Sequence, residues 1–381
     1  MSPPIVIADH AALRTFCERA RGAVFCAVDT EFFWERTYFP ALSLIQVAVA
    51  DAVAVVDVLA VADLAPLREL LLAPATVKVF HSASQDLFVL RGALGACPAP
   101  VLDTQIAAAL VGERHQIGYA ELVQSRLGVT LSKEHQRTDW LTRPLAPERV
   151  AYAGDDVRFL VTLYEGLAAQ LAALGRRPWA EEDSAWMATH LPEETVPPSE
   201  AWQAIEGYGR LNARQLLGLR ELAAWRERTG RERDLRPRLQ VPDRVLLEMA
   251  RHGAFHPRML AGLYRSASRR VTDCLPQMEP ILAAAAALPE DHLPRVAQNR
   301  RLTPREKEAV ERAGKVVAER AKTLGIERCM LATNSQLLHL VRQVSERPGA
   351  VDSRLVEGWR GAEVGSAVLR AVTEALAASP A

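Results

Sequence analysis

Between residues 23 and 57 the apolar positions come in short blocks separated by polar turns. Ala23 to Val28 is an apolar run closed by Asp29, Ser43 to Val49 is a second β-rich stretch, and Ala52 to Asp57 is a third. Blocks of this length read as neighbouring strands of one sheet. Leucines over 66–73 fall at helical spacing, and Val77 to Phe80 is a short buried strand that runs into His81 and a helix starting near Ser84. Helical spacing then dominates over 104–111, 117–127 and 147–173. The last of these starts near Ala146 or Pro147, because proline is tolerated in the first helical turn. Strands first, with helices interleaved and following, is an α/β or α+β layout.

Residues 176–200 carry prolines at 178, 192, 197 and 198 among acidic residues, which reads as a tether with a helical stretch around Ala180 to Ala188 and a domain boundary near 195–205. Beyond it, apolar residues recur at helical spacing in 212–228, 242–252, 256–264, 303–324, 333–345, 352–358 and 361–376, and nothing alternates like a strand. Ala283 to Leu288, followed by Pro289 and Pro294, separates two all-helical units of about 80 residues each, a size that suits small bundles. A length of 381 residues fits two or three domains.

The formal net charge is zero, but it conceals an asymmetry: about −9 for residues 1–200 and about +9 for 201–381. Such a split suggests nucleic-acid contact by the basic half, although solvated arginine-rich helices give the same count. Cys17, Cys26, Cys97, Cys274 and Cys329 are scattered, with no Cys-x-x-Cys and no histidine at zinc spacing. Neither a disulfide framework nor a zinc site is indicated, and a reducing, cytoplasmic setting is expected. No signal-peptide pattern opens the chain and no run approaches the ~20 apolar residues of a membrane span, so a soluble protein is expected.

Chemistry enters with Asp29-Thr30-Glu31 at the end of the first strand. Side chains alternate along a strand, so the two carboxylates face the same side, where they repel unless a cation, a proton or solvent intervenes. Asp86 lies one turn into the helix after Val77 to Phe80, and Tyr152 and Asp156 share a helix face at i, i+4. Each also fits a structural role taken singly: a solvated strand end, a helix N-terminus favoured by an acid, a core aromatic with its hydroxyl at the rim.

The complete ordered set is more specific. Asp29-Thr30-Glu31-Phe32, Leu42-Ser43-Leu44-Ile45-Gln46, His81-Ser82-Ala83-Ser84-Gln85-Asp86-Leu87, Asp103-Thr104-Gln105, Arg137-Thr138-Asp139-Trp140 with Arg143-Pro144-Leu145, and Tyr152-Ala153-Gly154-Asp155-Asp156 follow one another. This series resembles the DEDDy exonucleases and, over essentially the whole nuclease domain, the ribonuclease D family. Leu211 to Trp225, followed by an arginine-rich run to Arg238 and Pro242, resembles an HRDC domain. Residues 300–376, with Gly358-Trp359-Arg360 and Gly365, resemble a second, divergent copy.

The resemblance implies an α/β nuclease domain, ribonuclease H-like with a mixed sheet flanked by helices, over 1–195. Two all-α helical-bundle HRDC domains would follow at 205–285 and 295–381. It implies two divalent metal ions, Mg2+ or Mn2+, held by Asp29, Glu31, Asp86 and Asp156, a donor set that independently suits hard cations. Tyr152 would orient or help deprotonate the attacking water. Asp155 is expected to be an exposed bystander, and His81 a satisfied capping or core histidine.

Around the carboxylates, Leu44 and Gln46 resemble positions lining the 3′-terminal nucleotide pocket, though Leu44 also suits the sheet core. Phe32 and Trp34 suit base stacking or core packing. Lys133, Arg137 and Arg143 suit phosphate contact, or a surface loop beside an acid. The implied activity is 3′→5′ exoribonucleolytic trimming of the 3′ ends of tRNA precursors and other small stable RNAs, releasing nucleoside 5′-monophosphates. The partner is RNA, and the protein is expected to be monomeric, with no membrane association. A DNA-directed exonuclease shares the same site chemistry, and a non-catalytic nucleic-acid-binding protein would be expected to lack a ligand. Removal of residues 205–381 is expected to weaken RNA binding more than the chemical step.

Overall fold

In the computed structural model, which describes residues 3–132, 134, 138–289, 292, 301–347 and 351–377, the apolar runs of the first half become one six-stranded mixed sheet. In chain order the elements are β1 (Ile5–Ile7), α1 (His10–Ala20), β2 (Phe25–Phe33), β3 (Ala41–Val49), β4 (Ala52–Asp57), α2 (Ala65–Leu72), β5 (Val77–Phe80), α3 (Ser84–Leu94), β6 (Val101–Asp103), α4 (Thr104–Leu110), α5 (Tyr119–Leu127), α6 (Pro147–Ala173) and α7 (Arg177–Thr189). The strands lie in the order β1-β4-β3-β2-β5-β6. β1 runs parallel to β4, β2 to β5 and β5 to β6, while β3 and β4 are antiparallel. One face packs Cys26, Val28, Ile45 and Val47 with α1, α2 and α3, and the other packs Ala27, Ala48 and Val79 with α4, α5 and α6. The strands of β2 and β3 are covered on both faces, which is why their sequences read as continuous apolar runs rather than alternating ones.

The expected α/β nuclease layer is therefore present, and the chain divides into two compact units. One joins Met1–Glu31, Leu42–Leu191 and Arg300–Ala381; the other joins Phe32–Ala41 with Pro192–Asn299. The helices of the last stretch, expected as a separate module at 295–381, thus belong with the sheet. They are α12 (Pro304–Leu324), α13 (Arg328–Leu331), α14 (Asn334–Glu346), α15 (Gly358–Arg360) and, after a π turn over Gly361–Gly365, α16 (Ser366–Ala377), four helices of the other unit preceding them in the chain. Val317, Leu340 and Val368 share one hydrophobic core with Ala27, Val79, Leu160 and Leu163.

Polar groups bind the same elements together. Arg176 donates to the carbonyls of Leu110 (2.7 Å) and Leu324 (2.6 Å). Asp183 on α7, 6% exposed, accepts from both terminal nitrogens of Arg360, from Arg354 and from the Trp359 indole. The Trp179 and Trp359 rings stack with centroids 4.6 Å apart. Gly358 (φ +53°) is required here, since a Cβ would stand 2.0 Å from an Oε1 of Glu182, whose carboxylate accepts the Trp359 N–H.

The other unit contains two 3-10 turns (Ala201–Ala204 and Tyr208–Arg210), α8 (Ala213–Glu232), α9 (Pro237–Gln240), α10 (Asp243–His252), a 3-10 turn at Pro257–Leu260, and α11 (Arg265–Ala287). α8 begins with a capping box between Asn212 and Gln215 and centres a core of Leu216, Leu219, Trp225, Val245, Met249 and Met278. Two members of the arginine-rich run are internal: Arg226 is buried against Asp243 (2.8 Å), and Glu227 accepts from the Tyr38 hydroxyl. Asp234 accepts the backbone N–H groups of Tyr38 and Phe39, each at 3.0 Å, so the segment after β2 is held by this helical unit.

Three helical expectations change. Residues 256–264 form only a 3-10 turn, and 352–357 are not helical. Ala283 to Leu288, expected as a separator, is the end of α11, which runs through Pro276 and Pro280. No helix of the described residues is long and apolar enough to cross a membrane.

Candidate active site

β2 delivers two carboxylates to one spot. Asp29 and Glu31 lie on the same face of the strand, and α6 brings Asp156 to them from across the sheet, so that one oxygen of each lies within 4.8 Å of the others. Asp86, in the first turn of α3, is buried beside this trio rather than in it, and its Oδ1 accepts the Thr30 hydroxyl at 2.5 Å.

Burial is the leading cause that pushes all four carboxyls up, and their mutual repulsion adds to it. Glu31 is raised to about 10, with Asp29, Asp156 and Asp86 as neighbours, and Asp156 to about 7. Asp29 and Asp86 are raised well above the usual carboxylate range. Clustered hard oxygens that repel one another when ionised fit a divalent cation, which removes the repulsion. Asp155 pairs with Arg158 at 3.3 Å, as a bystander should, yet its charge contributes to the shift of Asp156.

These shifts carry a sign for stability. An unfolded carboxylate ionises near pH 4, whereas the folded ones hold their protons until about 7 at Asp156 and about 10 at Glu31. The metal-free fold is therefore undisturbed by these groups below about pH 4 and loses stability as pH rises through that window. Mg2+ is expected to raise the melting temperature strongly at pH 8 and little at pH 5. Saturation at 100 times the dissociation constant corresponds to about 2.7 kcal/mol. Equal shifts at both pH values in a thermal-melt titration would count against the cluster as a cation site.

Tyr152, one turn before Asp156 on α6, packs beside Trp140 (centroids 6.0 Å apart), with Leu44 in the same small apolar cluster. Its hydroxyl is pushed up by burial and by Asp156, Glu31 and Asp29, so it is a protonated donor at neutral pH. Leu131, Ser132, Glu134, Glu148, Ala151, Tyr152, Asp155 and Asp156 line a cavity of about 310 Å³. That volume falls at the lower end of small-ligand sites, about 300–1,000 Å³. Gly154, on the same helix, lets the chain before β1 pack closely on α6: a Cβ would stand 2.2 Å from Cγ of Pro4.

Residues 4–172 match the family model of the 3′-5′ exonuclease domain, and residues 215–265 match that of the HRDC domain. Ribonuclease D of Acidiphilium cryptum is 34% identical over 372 residues, covering 96% of this chain and 92% of its own. Ribonuclease D of Escherichia coli K12 is 34% identical over 353 residues, covering 92% and 93%. The chain belongs to the ribonuclease D family. The crystal structure of Escherichia coli RNase D, described as an exoribonuclease involved in structured RNA processing, superposes with a TM-score of 0.87 at 32% identity, covering 98% of this chain and 99% of that one.

Within this ribonuclease D fold the expected contact residues separate. Leu44 is fully buried in the cluster with Trp140 and Ala153. Gln46 is also fully buried, on the same face of β3, and neither its Oε1 nor its Nε2 has a partner among the described residues. Phe32 is half-buried at the start of the segment that packs in the helical unit. Lys133 and Arg137 lie outside the described residues.

Arg143 departs from the expectation of a phosphate contact. Its Nε and Nη2 grip the Asp57 carboxylate, each at 2.7 Å. Nη1 donates to the carbonyls of Trp140 and Thr142, and Nη2 also to Ser43. All five donors of the guanidinium thus have protein acceptors, and its role is to tie the loop before α6 to β3 and β4.

Other groups at this ribonuclease D site escaped sequence reasoning. The Tyr119 hydroxyl donates to the Asp155 carbonyl (2.8 Å) and is raised by burial and then by Asp156 and Asp29. His81 is satisfied, as expected: one ring nitrogen meets the Thr104 hydroxyl and the other the Ile117 carbonyl, each at 3.0 Å. Burial favours its neutral form. In that form the Ile117 carbonyl needs Nε2 to carry the proton, and the single Thr104 hydroxyl proton has two acceptors within reach, Nδ1 and the Phe80 carbonyl at 2.9 Å.

Proposed function

We propose that this protein is a 3′→5′ exoribonuclease that trims the 3′ ends of tRNA precursors and other small structured RNAs, releasing nucleoside 5′-monophosphates. The observation that carries the reading is the convergence of Asp29, Glu31 and Asp156 beside buried Asp86 in a chain with a ribonuclease D architecture. We take these four as the ligands of two divalent ions, Mg2+ or Mn2+, and the cations would supply an activated water and charge neutralisation at the phosphate.

The protein's own groups do the positioning. Tyr152, held protonated, donates a hydrogen bond at the reacting phosphate and so orients rather than deprotonates. Gln46, fully buried with its amide unpartnered among the described residues, and Leu44, packed against Trp140, would back the terminal-nucleotide pocket from beneath. Phe32 offers a face for base stacking. The 1–195 stretch is the nuclease domain, 205–285 the HRDC domain, and 295–381 a divergent HRDC-like segment whose helices complete the nuclease core. Exposed arginines of the basic half hold RNA through phosphates, which makes affinity fall with salt. Five free cysteines fit a cytoplasmic setting, and one chain is taken as the working unit.

Tyr152→Phe is expected to lower kcat by about 10–100-fold while leaving KM for RNA near wild type, because only the transition-state hydrogen bond is lost. An unchanged kcat would remove Tyr152 from the reaction. The functional reading itself is tested with purified protein, Mg2+ and a tRNA carrying a 3′ tail, beside a single-stranded DNA of the same sequence. Stepwise shortening of the RNA with mononucleotide release supports it. Preferential digestion of the DNA would favour the DNA-directed alternative, and no digestion of either would favour a binding protein.

A further inference from the structure

Asp103 belongs to a motif that the carboxylate set leaves unexplained. It is 1% exposed at the end of β6, and its carboxylate accepts three backbone N–H groups: Ser82 (3.0 Å) and Gln105 (2.7 Å) on Oδ1, and Ala83 (2.9 Å) on Oδ2. Gln105 lies in the first turn of α4, so one oxygen caps that helix. Ser82 and Ala83 are the two residues immediately before α3, and Ser82 has the left-handed φ of +61° that a side chain rarely adopts. A single carboxylate therefore fixes the strained turn from which α3 starts, and three residues after Ala83 the helix presents Asp86.

The Asp86 carboxylate is held from the other side by Thr30, 6% exposed, whose hydroxyl donates to Oδ1. Thr30 sits between Asp29 and Glu31 but on the opposite face of β2. Backbone and side chain of the central acid are thus each restrained by a residue that is not itself in the carboxylate set. Asp103 is tied further: its own N–H donates to the Ser184 hydroxyl of α7 at 3.0 Å.

We propose that Asp103 and Thr30 are positioning residues for Asp86, Asp103 through the start of α3 and Thr30 through the carboxylate, and that together they set the affinity of the site for its divalent ions. This rests on the four-carboxylate reading above. The physical ground is that a ligand oxygen displaced by a fraction of an ångström loses coordination, and partners that orient metal ligands are typically worth 10–100-fold in affinity or activity.

The test uses Asp103→Asn, Thr30→Val and Thr30→Ser in the full chain. Asparagine keeps the oxygen for Ser82 and Gln105 but turns an amide N–H toward Ala83, so it disturbs α3 more than α4. Mn2+ affinity is read by calorimetry on the metal-free protein, and kcat and KM on tailed RNA. Asp103→Asn and Thr30→Val are expected to weaken Mn2+ binding by about 10–100-fold and to lower kcat at limiting metal, with KM for RNA within about threefold of wild type. Thr30→Ser, which keeps the hydroxyl, is expected to restore affinity to within about threefold.

Wild-type Mn2+ affinity in both Asp103→Asn and Thr30→Val overturns the proposal, as does a Thr30→Val defect that serine fails to rescue. Should Asp103→Asn not fold, the Thr30 pair decides. Asp86→Asn is the separate control: full activity there sinks the carboxylate assignment itself, whatever the positioning variants do.

Discussion

Asp29→Asn is expected to abolish RNA hydrolysis while raising the melting temperature of the metal-free protein. The activity loss follows from removing a carboxylate oxygen from the trio that converges on the middle of β2, a strand that continues past the acids to Phe33. A fall of at least about 10³-fold in kcat corresponds to ~4 kcal/mol of transition-state stabilisation. The gain in stability follows from the same geometry, because Asp29 is pushed up by burial and by Asp156, and it in turn raises Glu31 and Asp86. A neutral amide removes that repulsion without changing volume. RNA affinity in Mg2+ should stay close to wild type, since the phosphate contacts reside elsewhere. Single-turnover hydrolysis, a thermal melt and a binding curve on one preparation decide the matter. Wild-type turnover, or a lowered melting temperature with full activity, would rule the carboxylate out as a ligand.

Asp183→Ala is expected to destabilise the nuclease unit strongly although Asp183 stands apart from the chemistry. It leaves the buried Arg360 guanidinium and the Trp359 indole without their acceptor. Breaking a buried ion pair from one side costs about 3–5 kcal/mol, and whole domains are stable by only about 5–15 kcal/mol. Deletion of 301–381 should be worse, because Val317, Leu340 and Val368 complete the core that contains Ala27 and Val79 of the sheet. The sequence-based expectation that removing 205–381 weakens RNA binding more than the chemical step therefore does not hold for residues 301–381. Urea unfolding of Asp183→Ala measures the cost; a midpoint indistinguishable from wild type would show that the ion network contributes nothing.

Long amphipathic elements were legible before folding was considered. α6 falls on 147–173 as expected, since Pro147 marks its start and its apolar residues recur over seven turns. α12 starts at Pro304 after the Thr303–Glu306 capping box, within a residue of expectation. β1 and β6, of three residues each, are too short to show any period and entered through pairing with β4 and β5. α11 was not singled out by its spacing, and Pro276 and Pro280 interrupt its pattern. Both are exposed, while Val271, Cys274, Met278, Leu282 and Ala285 recur on the inner face, so water replaces the missing hydrogen bonds.

For the site, the ordered acids and Tyr152 carried their own signal. Arg143 did not, because nothing in its neighbourhood along the chain announces Asp57, 86 residues away. Thr30 and Asp103 stood in the quoted motifs but without a role, and Tyr119 gave no signal, since what they do comes from tertiary contacts: Thr30 and Asp103 at the central acid and the turn before it, Tyr119 at the Asp155 carbonyl.

The discontinuity of the sheet-containing unit has a consequence during synthesis. Its interior is unfinished until the polypeptide beyond residue 300 has left the ribosome, which at about 5–20 residues per second comes roughly ten to forty seconds after α6. A product released before residue 300 by a stalled or broken message is therefore expected to expose the unfinished side of this core, and so to be cut by proteases instead of degrading cellular transcripts.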